Sequence, residues 1–175
     1  MLRRNRRPGL RTFALALALS VLASAATAQG AGVSLGGFGY KKGLPVEITA
    51  DSLDVNQSDG NAVFDGHVII GQGDMRMSAA KVVVEYGAGA DGKNEIKRLL
   101  ATGGVTLVSA NEQAEAQSAV YTVTSGEVVL SGNVLVTQGA TALSGDKMTV
   151  NLATGKGSVE GNVRTVLSTN GAKKN

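Results

Sequence analysis

The sequence predicts an all-β protein, a jelly roll or sandwich of antiparallel strands built from about four 29-residue units. Three observations carry this reading: a phrase that returns at a fixed interval, apolar residues that alternate with polar ones, and turn residues set between the runs. The phrase has an opener, a small residue leading into a β-branched run, and a closer, a Gly-x-Val strand. The openers are Ala50-Asp51-Ser52-Leu53-Asp54-Val55, Ala79-Ala80-Lys81-Val82-Val83-Val84, Ser118-Ala119-Val120-Tyr121-Thr122-Val123 and Gly145-Asp146-Lys147-Met148-Thr149-Val150. The closers are Gly66-His67-Val68, Gly103-Gly104-Val105, Gly132-Asn133-Val134 and Gly161-Asn162-Val163. Opener to closer is 16 residues in the first unit (50 to 66), 24 in the second (79 to 103), 14 in the third (118 to 132) and 16 in the fourth (145 to 161). The second is long by eight, the length of Gly87 to Asn94, a stretch that reads as a surface hairpin; without it successive closers stand 29 residues apart. Such a period marks stacked units that bury their apolar faces only against one another.

Taken in order, the chain opens on a basic segment with Arg3, Arg4, Arg6, Arg7 and Arg11, an apolar stretch from Phe13 to Ala25, and the small-x-small pattern Ala26-Thr27-Ala28. This predicts a cleaved secretory signal over residues 1–28 and an exported chain. Its removal takes five arginines and no acid, so 17 cations against 14 anions become 12 against 14, a net charge of −2. Nucleic-acid binding, which needs a basic face to release counterions, loses its compositional support. The absence of cysteine in an exported chain leaves burial to hold the fold. Residues 29–43 are glycine-rich without apolar periodicity and read as a flexible lead-in; residues 168–175 read as a polar tail. The domain itself spans residues 44–167.

Within it the apolar residues alternate, as in Val46 and Ile48, Met75 and Met77, Val82 and Val84, Val105 and Leu107, Val128 and Leu130, Met148 and Val150. Period two predicts strands with one buried face. Helix is the weaker reading throughout, with Asn94 to Ala101 and Glu112 to Ala119 the segments that could pass as helical. Ser58-Asp59-Gly60-Asn61, Gly71-Gln72-Gly73-Asp74, Thr124-Ser125-Gly126-Glu127 and Ala153-Thr154-Gly155-Lys156 are turn signals between antiparallel strands. The glycine of each closer predicts a bend or bulge where a strand passes from one sheet to the other. About sixteen strands in two sheets, at ~4.8 Å per spacing, give a body of roughly 38 Å.

No constellation here points to catalysis or to a metal. Gly87-Ala88-Gly89-Ala90-Asp91-Gly92 has the spacing of a dinucleotide fingerprint, but it lies inside the eight-residue insertion and lacks the parallel βαβ context the motif needs. Asp54 to Gly60 resembles a calcium loop with its glycine one place late and strands for flanks. His67 is the one histidine, so no Ser-His-Asp triad or His-based metal cluster can form. Asp51 and Asp54 fall on opposite faces of a strand and cannot act as a carboxylate pair. The sequence predicts no enzyme and no cofactor.

At Leu44-Pro45-Val46-Glu47-Ile48-Thr49-Ala50-Asp51, at Ala62 to Gly73, at Ala79 to Val84, and again at Leu130 to Val134 and Gly145 to Met148, the chain resembles the OstA-like family of lipopolysaccharide export proteins. The resemblance covers nearly all of residues 44–167. It implies a periplasmic, open-ended β jelly roll whose apolar groove carries the acyl chains of lipid A. The implied partners are an inner-membrane jelly roll, an outer-membrane translocon and further copies joined head to tail. By local alignment the lipid-lining positions fall on Val46, Ile48, Phe64, Leu107, Tyr121 and Val123. The assembly edges fall near Val46 and Ile48 at one end and Val163 and Leu167 at the other. Competing readings are a jelly-roll scaffold that carries no lipid and a β-helical polysaccharide-binding protein. The second would want aromatic platforms, and the chain has three Phe, three Tyr and no Trp.

Overall fold

The structure, a computed structural model, describes residues 31–34, 38, 40–56, 60–89, 91–109 and 111–167. The expected signal segment and polar tail lie outside the described residues, as does part of the calcium-like loop. Among the described residues eleven strands are formed: β1 (Ala31–Ser34), β2 (Glu47–Thr49), β3 (Ser52–Asn56), β4 (Asn61–Gln72), β5 (Met75–Ala88), β6 (Asn94–Val108), β7 (Glu112–Thr122), β8 (Glu127–Gln138), β9 (Thr141–Asn151), β10 (Lys156–Glu160) and β11 (Arg164–Val166). All pair antiparallel in the order β1-β10-β9-β8-β7-β6-β5-β4-β2, with β3 also on β4 and β11 also on β9. The sheet does not close. Both segments with helical potential are strands, β6 and β7, because each finds paired neighbours on two sides.

Every long strand is broken at one corner, and the β5–β6 pair has a further register shift at Glu85/Tyr86, where Lys97 is the extra residue. Register shifts fall at Asp65/Val68, Ser78/Lys81, Thr102/Val105, Glu115/Ser118 and Ser131/Val134. Gly66, Gly103, Gly132 and Gly161 sit at these corners or at their equivalent between β10 and β11, all with left-handed backbone (φ 80°, 83°, 83° and 71°). The next residues, His67, Gly104, Asn133 and Asn162, are left-handed too, a conformation that Asn and His adopt more readily than most side chains. At each corner two closer residues oppose one opener residue, a bulge that turns the strand.

The corners divide the sheet into two layers. One holds β3, the first halves of β4, β6 and β8, the second halves of β5, β7 and β9, and then β10 and β1. The other holds β2, the remaining halves and β11. With β2 and β3 taken as one bent strand, and β10 and β11 as another, the chain is eight bent strands, or four hairpins. These are the four units of the sequence repeat.

One detail of the repeat is corrected. The residue packed over Gly132 is Gln117, so the third unit opens at Ala116 rather than Ser118, and its span to Gly132 is 16 residues like the first and fourth. The eight extra residues of the second unit lengthen the β5–β6 hairpin, whose turn is tied by Gly89 N–H to Lys93 O at 2.7 Å.

A single buried cluster fills the space between the layers, with Val68, Ile70, Met75, Met77, Leu107 and Val134 from one and Val82, Val84, Leu99, Leu130, Met148 and Val159 from the other. Interior residues step by two along each strand. They step by three across an opener corner, as from Ala79 to Val82, and by four across a closer corner, as from Leu130 to Val134. The bulges thus keep one face of a bent strand turned inward along its whole length.

The glycine-rich lead-in differs from its sequence reading. Ala31–Ser34 form β1 on the outer side of β10, and Phe38 is fully buried in the core, its N–H donating to Glu112 Oε2 at 3.3 Å. The pairing of β1 and the burial of Phe38 give the lead-in tertiary partners in two places, although its sequence has no periodicity of its own.

Candidate functional site

The interior between the layers is the candidate site, and its side chains are set by the alternation just described. Leu107 on β6 and Tyr121 on β7 are fully buried within it. Phe64 on β4, Ile48 on β2, Val46 just before β2 and Val123 just after β7 are partly buried against the same core. The six residues expected to line a groove are therefore all on the inward side, two at its floor and four toward its margins.

A buried polar link spans the two layers. Tyr121 Oη donates to Gln72 Oε1 at 2.5 Å, and Gln72 Nε2 donates to the Leu44 carbonyl at 2.9 Å. Strands β7 and β4 are three spacings apart along the sheet, ~14 Å if it were flat, so their contact is made across the interior. Burial, and then the neighbouring Tyr40 hydroxyl, push the Tyr121 phenol above its ordinary value. The hydroxyl therefore stays protonated and a donor. Gln72 follows the inward parity of Val68 and Ile70, so its burial was readable from the sequence once β4 was placed. Glu112, equally buried, accepts from Gln138 Nε2 at 2.7 Å as well as from Phe38.

Beside this link lies an open cleft of about 490 Å³, lined by Tyr40, Leu44, Val46, Gln72, Ile96 and Val123 and rimmed by Lys42 and Glu95. At the end of the sheet formed by β2 and β3, Leu53, Val55, Phe64 and Tyr86 border a second cleft of about 460 Å³. Leu53 and Val55 are 53% and 65% exposed, unusual for inward-facing positions. They are exposed because no strand lies beyond β3 among the described residues. At the other end Val163, Val166 and Leu167 are exposed about β11. Both ends thus present apolar side chains beside strand edges, which single soluble domains usually cover or charge. Sequence reasoning placed Val46, Ile48, Val163 and Leu167 at these ends. It missed Leu53, Val55 and Tyr86, whose alternation alone does not tell an end strand from an internal one.

The corners carry polar clasps. His67 Nδ1 lies 2.7 Å from Asp51 Oδ2, and in the equivalent place of the fourth unit Asn162 Nδ2 donates to Asp146 Oδ2 at 2.8 Å. Both pairs are exposed and stand over the corner glycines, so they serve the bend rather than a reaction. Among the described residues no three His, Cys, Asp or Glu side chains are grouped to hold a metal ion.

Three comparisons bear on the chain. The structure of LptH, described as the LptA homologous periplasmic component of the lipopolysaccharide transport device of Pseudomonas aeruginosa, superposes with a TM-score of 0.63. The match covers 71% of this chain and 96% of LptH at 17% identity. That likeness shows the fold, a jelly roll of the LptA kind. An uncharacterized protein of Rhizobium meliloti (strain 1021) is 29% identical over 167 residues, covering 91% of this chain and 90% of that one. The model of the LptA/(LptD N-terminal domain) LPS transport protein family matches residues 47–156, from the first strand of the repeat to the start of β10 and so well over half of the sequence. With four bent hairpins around one apolar interior and that match across them, the chain belongs to the LptA/(LptD N-terminal domain) LPS transport protein family.

Proposed function

We propose that this protein is the LptA-type carrier of its transport system. In this role it is exported to the periplasm by a cleaved signal, and it shields the acyl chains of lipid A between its layers. It bridges an inner-membrane jelly roll and an outer-membrane translocon. The observation that carries this reading is the apolar interior that continues to exposed edges at both ends, Leu53 and Val55 on one side and Val163 and Leu167 on the other. A scaffold needs no such continuity. Each acyl CH₂ withdrawn from water is worth about 0.8 kcal/mol, so tails of any length require continuous cover to cross an aqueous space. Aliphatic side chains provide that cover without polar recognition, and so permit the lipid to be passed on.

Photo-crosslinking from Val46, Ile48, Phe64, Leu107, Tyr121 and Val123 to lipopolysaccharide tests the assignment, with outward-facing Leu135 as the control. Val123→Asp and Ile48→Asp should each abolish lipid binding, because a carboxylate in the groove has no compensating partner. Both residues are only partly buried, so the fold should persist, and circular dichroism checks whether it does. A folded variant that binds lipopolysaccharide as well as wild type would refute the groove and favour the scaffold.

A further inference from the structure

Strand β1 belongs to none of the four units, and its place is informative. In each unit the closer pairs with the opener of the next in one register: Asp65 opposes Lys81, Thr102 opposes Ser118 and Ser131 opposes Lys147. In unit terms, the residue before the corner glycine stands opposite the second residue after the opener's first. Beyond β10 and β11 the described residues hold no fifth unit. Extending the rule to a second copy of this chain sets its Ser52 opposite Glu160, Leu53 opposite Val159, Asp54 opposite Ser158, Val55 opposite Gly157 and Asn56 opposite Lys156. In the other layer the same rule sets its Thr49 opposite Arg164 and its Glu47 opposite Val166.

The β10 positions are already taken. Ala31 opposes Val159, Gly32 opposes Ser158, Val33 opposes Gly157 and Ser34 opposes Lys156. Four of the five residues of β10 are paired, in the direction and register that β3 of a following copy requires. In the β2 layer the outer side of β11 has no strand on it among the described residues. The end of the molecule is therefore blocked in one layer and open in the other. Phe38 fixes the segment at its far side, fully buried with its N–H on Glu112.

We propose that β1 is an internal stand-in for β3 of the next copy, holding the edge of β10 until a second copy displaces it. The proposal rests on the carrier reading only for the purpose of assembly; the strand competition stands on the register. A tethered strand competes at an effective concentration in the millimolar range. It contributes only four residues in one layer, whereas a following copy brings five from β3 and three from β2 in two layers at once. The competitor therefore raises the concentration needed for assembly without forbidding it, and the exposed Leu53 and Val55 find their cover against Val159 and Gly157 of the neighbour.

Paired cysteines test this directly, since the chain has none of its own. With Asp54→Cys and Ser158→Cys, oxidation should give a ladder of linked chains. Deleting residues 31–34 from that variant should bring the ladder on at about tenfold lower concentration, the gain expected if β1 is on β10 roughly nine-tenths of the time. With Gly32→Cys and Ser158→Cys, oxidation should instead hold the chain monomeric by sedimentation, and reduction should release it. Hydrogen exchange gives a readout independent of assembly: the β10 amides should be protected in the dilute monomer and lose protection on the deletion or with Phe38→Ala. A ladder unchanged by the deletion, or a locked form that assembles like the reduced one, overturns the competition. A ladder that shifts as expected in a protein that never binds lipopolysaccharide supports the competition and overturns the carrier reading alone.

Discussion

Tyr121→Phe removes one oxygen from the interior and tests whether the link across the layers matters. The hydroxyl is fully buried and donates to Gln72 Oε1 at 2.5 Å. Phenylalanine keeps the ring, so apolar burial is nearly unchanged and no cavity forms. What is lost is the partner of a buried amide oxygen, a cost of about 1–3 kcal/mol. At roughly 3–5 °C per kcal/mol for a domain of this size, the midpoint of thermal unfolding should fall measurably. The alkaline limb gives a second signature. The folded phenol titrates above its unfolded value of about 10, so the stability it supplies is complete below that pH and is lost as pH rises beyond it. The gap between wild type and Tyr121→Phe in urea unfolding should thus be constant near neutrality and narrow above pH 10. In a double-mutant cycle with Gln72→Leu, the two changes together should cost less than their sum, since neither group is then left without its partner. Equal stability of wild type and Tyr121→Phe at pH 7, with the same alkaline decline in both, would refute the reasoning.

Gly132→Ala forces a side chain onto a left-handed backbone against Gln117 and should cost at least ~1 kcal/mol, whereas alanine at Gly71, where φ is not left-handed and the flexible Arg76 side chain is the neighbour, should cost less; chemical denaturation compares them. Deleting Val163 to Asn175 removes β11, whose residues are all exposed, and should leave a folded chain that binds lipid but does not lengthen in sedimentation at rising concentration. His67→Asn should abolish a small pH dependence of stability: the hydrogen bond to Asp51 raises the imidazole's titration point, so its contribution is full below the ordinary value of 6.5 and fades as pH rises through the raised one.

The corners were legible because their backbone demands a residue type. Left-handed φ selects glycine and asparagine, so Gly66, Gly103, Gly132-Asn133 and Gly161-Asn162 mark the bends in the sequence itself. The openers carry no such demand. Across Ala116, Gln117 and Ser118 the interior face changes by a step of three between small residues, and nothing in the composition marks which of them bends; hence the displacement of the third opener by two. The inward-facing residues were legible because period two fixes which side chains share a face. β1 was not. Its Ala-Gly-Val-Ser is too short and plain to announce a strand, and its partner, Val159 with its neighbours, lies at the far end of the chain. Phe38 and Tyr40, two aromatics set among glycines, were the available signal that the lead-in is anchored.

Since each hairpin is placed on the last by the same corner, the length of the molecule is a count of units, not a property of any one of them. Splicing a further copy of the third unit between the third and fourth should extend the body by two strand spacings, roughly 10 Å, without altering either end. The elongated β5–β6 hairpin bears on this too, since near-equivalent units invite a strand to pair with the wrong neighbour. Having one pair of arms longer than the rest gives the array an asymmetric tooth, by which a chain that has slipped one place would be left with unmatched backbone.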